Sequence, residues 1–390
     1  MKVEDDDVNM IYTIPFTEKM ENKTKEQLIQ LCKESNIPGY SGKTKSQLVE
    51  LLNKKLRGQF YTTRYEYILE DLTKPPSHDR VIEPFAGKGD LLKWIESKEV
   101  DAYDIEPKTA GILQRDTLLN PPDYKDSWVV TNPPYLARNK CKDKELFEKY
   151  QTNDLFKCFI YSMMGCKGGV VIIPASFFLS PRDVDFRCRH SFMSRYRITK
   201  IKYFEESVFE DTPTTVVAFS FERSDVELEQ QEIEWVFMPS REKKVFHMKR
   251  EENWIVSGSI YQLPIPDGIK IRRHVEGDPL RKGEQQTFMT LKALDTGVQD
   301  GRISLEYKKG YVYPAKECSR SYATLRITGK LLSEEEQKTL CELFNTFIER
   351  KRLDTKSLFL PQYRESKEYS RKRIPFELAY TILLHLIQGK

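Results

Sequence analysis

Short apolar runs alternate with amphipathic stretches from about residue 58 to residue 223. The runs are Val81-Ile82, Asp101–Ile105, Val129-Val130, Val170–Ile173, Ile198–Tyr203 and Val216–Phe221. Helical spacing falls near Tyr65–Leu72, Asp90–Ser97 and Asp154–Met164, and the stretch 148–164 reads as the longest helix, ended by Gly165, Gly168 and Gly169. Strands alternating with helices predict an α/β domain, a parallel sheet doubly wound in the Rossmann-like manner, over residues 58–239. Ahead of it, residues 23–56 read as a helical hairpin. Thr24 is placed to cap a helix carrying Leu28, Leu31 and Cys32, and after the breaker Ile37–Gly42 a second helix carries Leu48, Leu51 and Leu52. Beyond residue 240 the rhythm weakens to an irregular, β-rich stretch. Two helices follow, near Ser333–Leu353 and Pro375–Ile387. Three regions are therefore expected: 1–57, 58–239 and 240–390, the last with an α+β fold.

Composition narrows the class only slightly. The chain has 390 residues, 31% charged, with a net charge of +4. That excess is compatible with nucleic-acid contact and matters only if the positive charge is clustered. Lysines and an arginine do gather on the second hairpin helix (Lys43, Lys45, Lys54, Lys55, Arg57). Basic and aromatic residues interleave further on: Tyr261, Tyr307, Lys308, Lys309, Tyr311, Tyr313, Arg320, Tyr322 and Arg326, then Arg364, Lys367, Arg371, Lys372 and Arg373. No apolar run approaches the length of a membrane span. The acidic start, Met1–Asp7, lacks the apolar core of a signal peptide. The seven cysteines are scattered without a CxxC pair, and the five histidines lack ligand spacing. A reducing intracellular setting without a metal cofactor is expected.

Two motifs carry chemistry. Asn132-Pro133-Pro134-Tyr135 follows the apolar run Trp128–Val130, where a buried strand would end. Adjacent prolines stiffen that turn. The Asn132 side-chain carbonyl and the Pro133 backbone carbonyl can both accept from one exocyclic amino group, while Tyr135 lies on the ring that bears it. Two acceptors draw the amine toward sp3 geometry and free its lone pair. The second motif, Glu83-Pro84-Phe85-Ala86-Gly87-Lys88-Gly89-Asp90, follows Arg80–Ile82 and precedes a helical pattern. Gly87 and Gly89 let backbone approach a ligand, and a following helix would aim N–H groups at an anionic end. Glu83 can hold a cationic amine. This suits the amino-acid part of S-adenosylmethionine, whereas the GxGxxG spacing of a dinucleotide site is absent. Asp104, with Glu106 second, stands where ribose hydroxyls are read in doubly wound folds. Ile105 would pack on the adenine, and Asp116 would meet its amino group.

In order and spacing, residues 58–223 resemble the gamma-class N6-adenine DNA methyltransferases of restriction–modification type. Gly58–Thr63 matches the family's first element, with Thr62 as the cofactor-side threonine and Thr63 in place of a common proline. Glu83–Asp90 matches the cofactor loop, Asp104 and Asp116 the next acidic positions, and Asn132–Tyr135 the catalytic motif. Leu155–Phe159 looks like the segment whose last aromatic, Phe159, contacts the cofactor adenine. Phe209, ahead of Thr214–Val217, would stack on the far face of an extruded base, with Tyr135 on the near face. The hairpin resembles the SAP motif, a small DNA-binding module, through Leu28, Leu31, Cys32, Gly39, Tyr40, Gly42, Lys45, Leu48 and Leu51.

The resemblance implies S-adenosylmethionine as cofactor and transfer of its methyl group to N6 of a flipped-out adenine in a short duplex sequence. Residues 240–390 would be the target-recognition domain. Double-stranded DNA is the expected partner, with a cognate restriction endonuclease allowed by the family. A monomer is expected, in contact with host or viral DNA; the SAP-like module is compatible with a nuclear or virus-encoded setting. Two alternatives stay open. The same tetrapeptide occurs in families that methylate RNA or a protein glutamine, and a catalytically inactive DNA-binding homologue would keep the same body.

Overall fold

The computed structural model describes residues 20, 22–34, 37, 39–141, 143–209, 214–275, 277–295, 302–313, 321–360, 362–363 and 371–389. The acidic N-terminal run, Pro38, Glu210, Asp211, Cys318, Arg320, Pro361, Arg364 and Lys367 lie outside the described residues.

The hairpin forms as its pattern predicts, from α1 (Lys25–Glu34) and α2 (Lys45–Arg57). Both helices start with a threonine and a glutamine three residues on. Thr24 N–H donates to Gln27 at 2.9 Å and Thr44 N–H to Gln47 at 2.9 Å, while each hydroxyl accepts in return. Leu28, Cys32, Leu48 and Leu52 are buried between the helices, joined by Met20 and Ile37.

The central sheet has nine strands: β1 (Val81–Glu83), β2 (Val100–Asp104), β3 (Leu113–Gln114), β4 (Trp128–Thr131), β5 (Gly168–Pro174), β6 (Tyr196–Phe204), β7 (Val216–Arg223), β8 (Gln230–Met238) and β9 (Glu242–Lys249). Their order is β3-β2-β1-β4-β5-β7-β6-β8-β9. Strands β1 to β5 pair in parallel, and β7 runs antiparallel to both β5 and β6. This is a mixed α/β sheet whose parallel half is β3-β2-β1-β4-β5, as the alternating pattern predicts. The winding changes direction between β1 and β4, because β2 and β3 lie on one side and β5 on the other. In such sheets the crevice at the carboxyl ends of the switch strands is where ligands bind. β9 pairs with β8, so the sheet continues past residue 239 to Lys249.

Three local expectations change. Asp90–Ser97 is not a helix: only a 3-10 turn, Leu91–Lys93, forms. Ser97 competes locally for backbone groups, since its hydroxyl donates to the Asp79 carbonyl at 2.6 Å and accepts from Glu99 N–H at 3.1 Å. The stretch 148–164 is two helices, α4 (Glu145–Lys149) and α5 (Leu155–Ser162), because Gln151 turns into the left-handed region at φ 50°. After α3 (Tyr65–Leu69) and α6 (Ser176–Leu179), α7 (Asp183–Met193) was hidden from the hydropathy pattern because it buries charge: Asp185 and Arg189 are inside.

Past the central sheet, β10 (Lys270–Arg273), β14 (Tyr322–Thr328), β11 (Glu284–Lys292) and β13 (Ser304–Tyr307) form an antiparallel sheet in that order. The helices α8 (Glu334–Thr355) and α9 (Phe376–Gln388) share a second apolar core with it. A small sheet of β12 (Leu294–Asp295), β16 (Arg371–Arg373) and β15 (Gln362–Tyr363) completes this α+β region. Among the described residues no helix is long and apolar enough to cross a membrane.

The buried charge in α7 yields a stability test. Asp185 receives the Lys157 ammonium of α5, which also donates to Asn153 at 2.6 Å; burial lowers the Lys157 pKa to about 8. Removing the carboxylate strands a buried cation, so Asp185→Ala should cost about 3–5 kcal/mol in chemical denaturation. A loss below ~1 kcal/mol would show that the pair holds little.

Candidate active site

The carboxyl ends of β1 and β4 bring the two motifs together. Glu83 closes β1 and is fully buried. Its Oε1 accepts from the Thr131 hydroxyl at 2.5 Å and from Phe85 N–H at 3.0 Å. Its Oε2 has no hydrogen-bond partner. Burial, with Asp104 adding repulsion, raises this carboxyl to about 8 against the pull of those two donors. Thr131 directly precedes Asn132, so a buried half-paired carboxylate and the candidate amine acceptor sit one residue apart across the switch point.

The glycine loop is braced from within. Phe85 N–H serves Glu83, Ala86 N–H donates to Tyr103 at 2.8 Å, and Gly87 N–H donates to Asp104 Oδ2 at 2.8 Å. Gly89 N–H donates to Ala86 at 2.7 Å. Those amides are spent holding the loop, and no full helix follows it. The expectation that helix-end N–H groups hold an anion therefore fails here. The loop's service is clearance. Gly87 stands at φ 55°, and a Cβ there would lie 3.3 Å from the Tyr61 ring. Pro84 is buried, and its carbonyl accepts from Thr117 at 3.0 Å.

Asp104 ends β2 beside this loop. Besides Gly87 N–H it accepts from Glu106 N–H at 2.8 Å, and burial raises its pKa. Ile105 is half-buried next to it. Asp116 accepts from Leu118 and Leu119 N–H at 3.1 and 3.0 Å, so one of its oxygens shapes its own turn. Phe159 is fully buried and meets Phe85, which is partly exposed, edge-on at 5.4 Å.

The prolyl turn is held from the N-terminal side. Asn132 Nδ2 donates to the Phe60 carbonyl at 2.9 Å and to Thr62 Oγ1 at 3.1 Å. These bonds fix the amide so that Oδ1 is its acceptor end. That oxygen accepts from the Tyr135 hydroxyl, which also reaches the Ile172 carbonyl at 2.7 Å. Pro133 is buried and Pro134 half-buried. The Tyr135 and Phe209 rings are 6.5 Å apart and edge-on at 67°, and Phe60 lies tilted against both, 5.5 and 6.3 Å away, so the three rings pack on one another.

Sequence reasoning passed over Phe60, Tyr61, Gln59 and Thr131. The first three stand in the same Gly58–Thr63 element that yielded Thr62, and Thr131 touches Asn132 in sequence. Among the described residues no cluster of three or more His, Cys, Asp or Glu could hold a metal ion.

Residues 124–209, from the approach to β4 through Phe209, match the Eco57I restriction-modification methylase family. No curated protein matches the chain. Among solved structures it is similar to a modification subunit from Vibrio vulnificus YJ016, with 16% identity over 57% of this chain and 54% of that one and a TM-score of 0.39. It is also similar to the M protein of the type I restriction enzyme EcoKI, with 14% identity over 86% and 81% and a TM-score of 0.36. A type I methyltransferase subunit from Streptococcus thermophilus gives 12% identity over 57% and 64% and a TM-score of 0.38. The chain spans about half the length of the Vibrio subunit.

Glu83 makes a prediction of its own. A raised native pKa means that the folded state keeps a proton the unfolded chain has released. The corresponding stability is complete below the ordinary value of 4.5 and is lost as pH rises through about 8. Over that window the melting temperature of ligand-free Glu83→Gln should fall less steeply than that of the wild type. Equal slopes would mean that the carboxyl is not raised.

Proposed function

We propose that the protein is an S-adenosylmethionine-dependent DNA methyltransferase that modifies N6 of an adenine within a short duplex sequence. The observation that carries this reading is the unpaired Glu83 Oε2 buried beside Asn132 at the β1–β4 switch point. A buried carboxylate oxygen without a donor suits an ammonium group, which the amino-acid end of S-adenosylmethionine has. Asp104 suits the ribose hydroxyls, Ile105 and Phe85 the adenine faces, and Asp116 its amino group. The Thr62 hydroxyl accepts from Asn132 and keeps its own proton to donate toward the cofactor carboxylate. When bound, S-adenosylmethionine supplies an electrophilic methyl group. The Eco57I-family match over residues 124–209 supports the same class.

The chain's own part is positioning and polarisation. An amide oxygen has two acceptor sites. One on Asn132 is taken by Tyr135, and the other, with the Pro133 carbonyl, takes the hydrogens of the target amine. No general base of lowered pKa is required, because the methylated nitrogen is acidic and loses its proton afterwards. Eversion of an adenine costs a few kcal/mol, and stacking on an aromatic returns about 1–3 kcal/mol. Here that gain requires Phe60, Tyr135 and Phe209 to part.

Duplex contact is assigned to the region after residue 250. Arg326 is not a base reader: it is buried, with its guanidinium on Gln286 at 2.8 Å and within 3.7 Å of Glu284. Lys308 and Lys309 pair with Glu306 and Glu334. The better surface is a tyrosine strip, with Tyr313 stacked on Tyr322 at 5.5 Å and Tyr311 edge-on to Tyr313 at 6.2 Å. A restriction endonuclease partner belongs to this proposal as well.

Asn132→Ala should reduce methyl transfer to duplex DNA by roughly 10²–10³-fold or more, as loss of a preorganised polar group does, while cofactor binding persists. The check uses labelled S-adenosylmethionine with mixed-sequence DNA, RNA and protein, followed by nucleoside analysis for N6-methyladenine. Label appearing in RNA or protein but not in DNA would replace the substrate assignment.

A further inference from the structure

The N-terminal hairpin is tied to the site by its last residue and the strand of chain that follows. The segment 57–62 touches each part of the site in turn. Gly58 caps α2 in the left-handed region at φ 67°, and its carbonyl accepts from Tyr135 N–H at 2.9 Å. A Cβ on Gly58 would lie 2.4 Å from the Tyr135 carbonyl oxygen, so only glycine permits this approach. Phe60 holds Asn132 through its carbonyl, and Tyr61 covers Gly87.

The remaining contacts fall on the turn after β2. The Arg57 guanidinium pairs with Glu106, whose backbone N–H donates to Asp104. Gln59 Nε2 reaches the same Asp104 oxygen at 3.5 Å. Lys108 also pairs with Glu106, but it sits two residues away in the same loop and moves with it. Arg57 and Gln59 reach this turn from the hairpin side. Beside this attachment, Ser46, Val49 and Asn53 of α2 line a cleft of about 790 Å³ together with Lys88, Glu106 and Lys108.

We propose that Arg57 is a positioning residue for the cofactor. By clamping Glu106 it fixes the turn Asp104–Ile105–Glu106, which would read the adenosine, so cofactor affinity depends on the hairpin. This rests on the S-adenosylmethionine reading given above. It also changes the hairpin's role. Arg57 is spent on Glu106, and the Lys54 and Lys55 ammonium groups lie over Tyr61 and Phe60 at 4.5 and 5.8 Å. Three of its five clustered cations are thus engaged with the site, which makes the hairpin a wall of the active centre before it is a DNA-binding arm.

The test uses the full chain and S-adenosylhomocysteine as the probe, measured by calorimetry, with steady-state kinetics alongside. Arg57→Ala should weaken probe binding and raise KM for the cofactor by roughly fivefold, the size of a well-made partly exposed ion pair. Turnover at saturating cofactor should stay unchanged, and Arg57→Lys should recover part of the loss. If Arg57 acts through Glu106, the Arg57→Ala/Glu106→Gln double variant should bind no worse than Glu106→Gln. Unchanged probe affinity in Arg57→Ala, a loss confined to turnover, or additive effects in the double variant would overturn the inference while leaving the wild-type function intact. A wild-type protein that binds no S-adenosylhomocysteine would remove the functional reading and this inference together.

Discussion

A carboxylate buried with one oxygen unpaired is costly, and the centre of this molecule is built around one. Glu83 sits at the end of β1 with two donors on Oε1 and none on Oε2. Desolvation dominates and pushes the group toward its neutral form. Nothing in the packing of the sheet requires a glutamate here, since its neighbours Val81 and Ile82 satisfy the core. The arrangement becomes reasonable when a cation completes it, and the site around it has the parts that such a ligand would meet.

The surrounding order follows from the topology. Parallel strands β1 and β4 pair directly, with Ile82 opposite Val129, so their carboxyl ends lie together and the Thr131 hydroxyl reaches Glu83. Asn132 follows Thr131 and inherits that position. The segment after α2 then closes the site from above through Gly58, Phe60 and Thr62. A single crossing segment thereby connects the hairpin, the glycine loop, the turn after β2 and the prolyl turn. Within it the labour is divided: Arg57 and Gln59 meet the turn after β2, while Gly58, Phe60 and Thr62 meet the prolyl turn.

Much of this was legible in the chain. The six apolar runs became strands, and the most buried of them, Val170–Ile173 and Val216–Phe221, read as nearly unbroken apolar stretches because both faces of the strand are covered. The first hairpin helix showed its cap in Thr24, and the Glu83 and Asn132 motifs fell at strand ends where a ligand crevice forms. What stayed hidden has physical reasons. Helix α7 buries Asp185 and Arg189, so its inward face looks polar. The helical pattern of Asp90–Ser97 was overridden by the Ser97 hydroxyl and the short return to β2. The packing of Phe159 edge-on against Phe85 is a tertiary contact that spacing does not announce. Tyr135 and Phe209 lie 6.5 Å apart, and the third ring beside them, Phe60, could not be inferred from spacing. Arg326 and the hairpin cations looked like surface charge, and only the fold shows Arg326 in an internal network with Glu284 and Arg57 on Glu106.

The central claim is that a cation completes the half-paired carboxylate of Glu83. Calorimetric titration of the protein with S-adenosylmethionine at pH 7, repeated in two buffers of different ionisation enthalpy, counts the protons exchanged on binding. Net release approaching one proton per site is expected, because a carboxyl raised to about 8 must ionise to hold the ammonium. That release should be absent from Glu83→Gln. Tight binding with no difference between buffers, or the same proton count in both proteins, would contradict it.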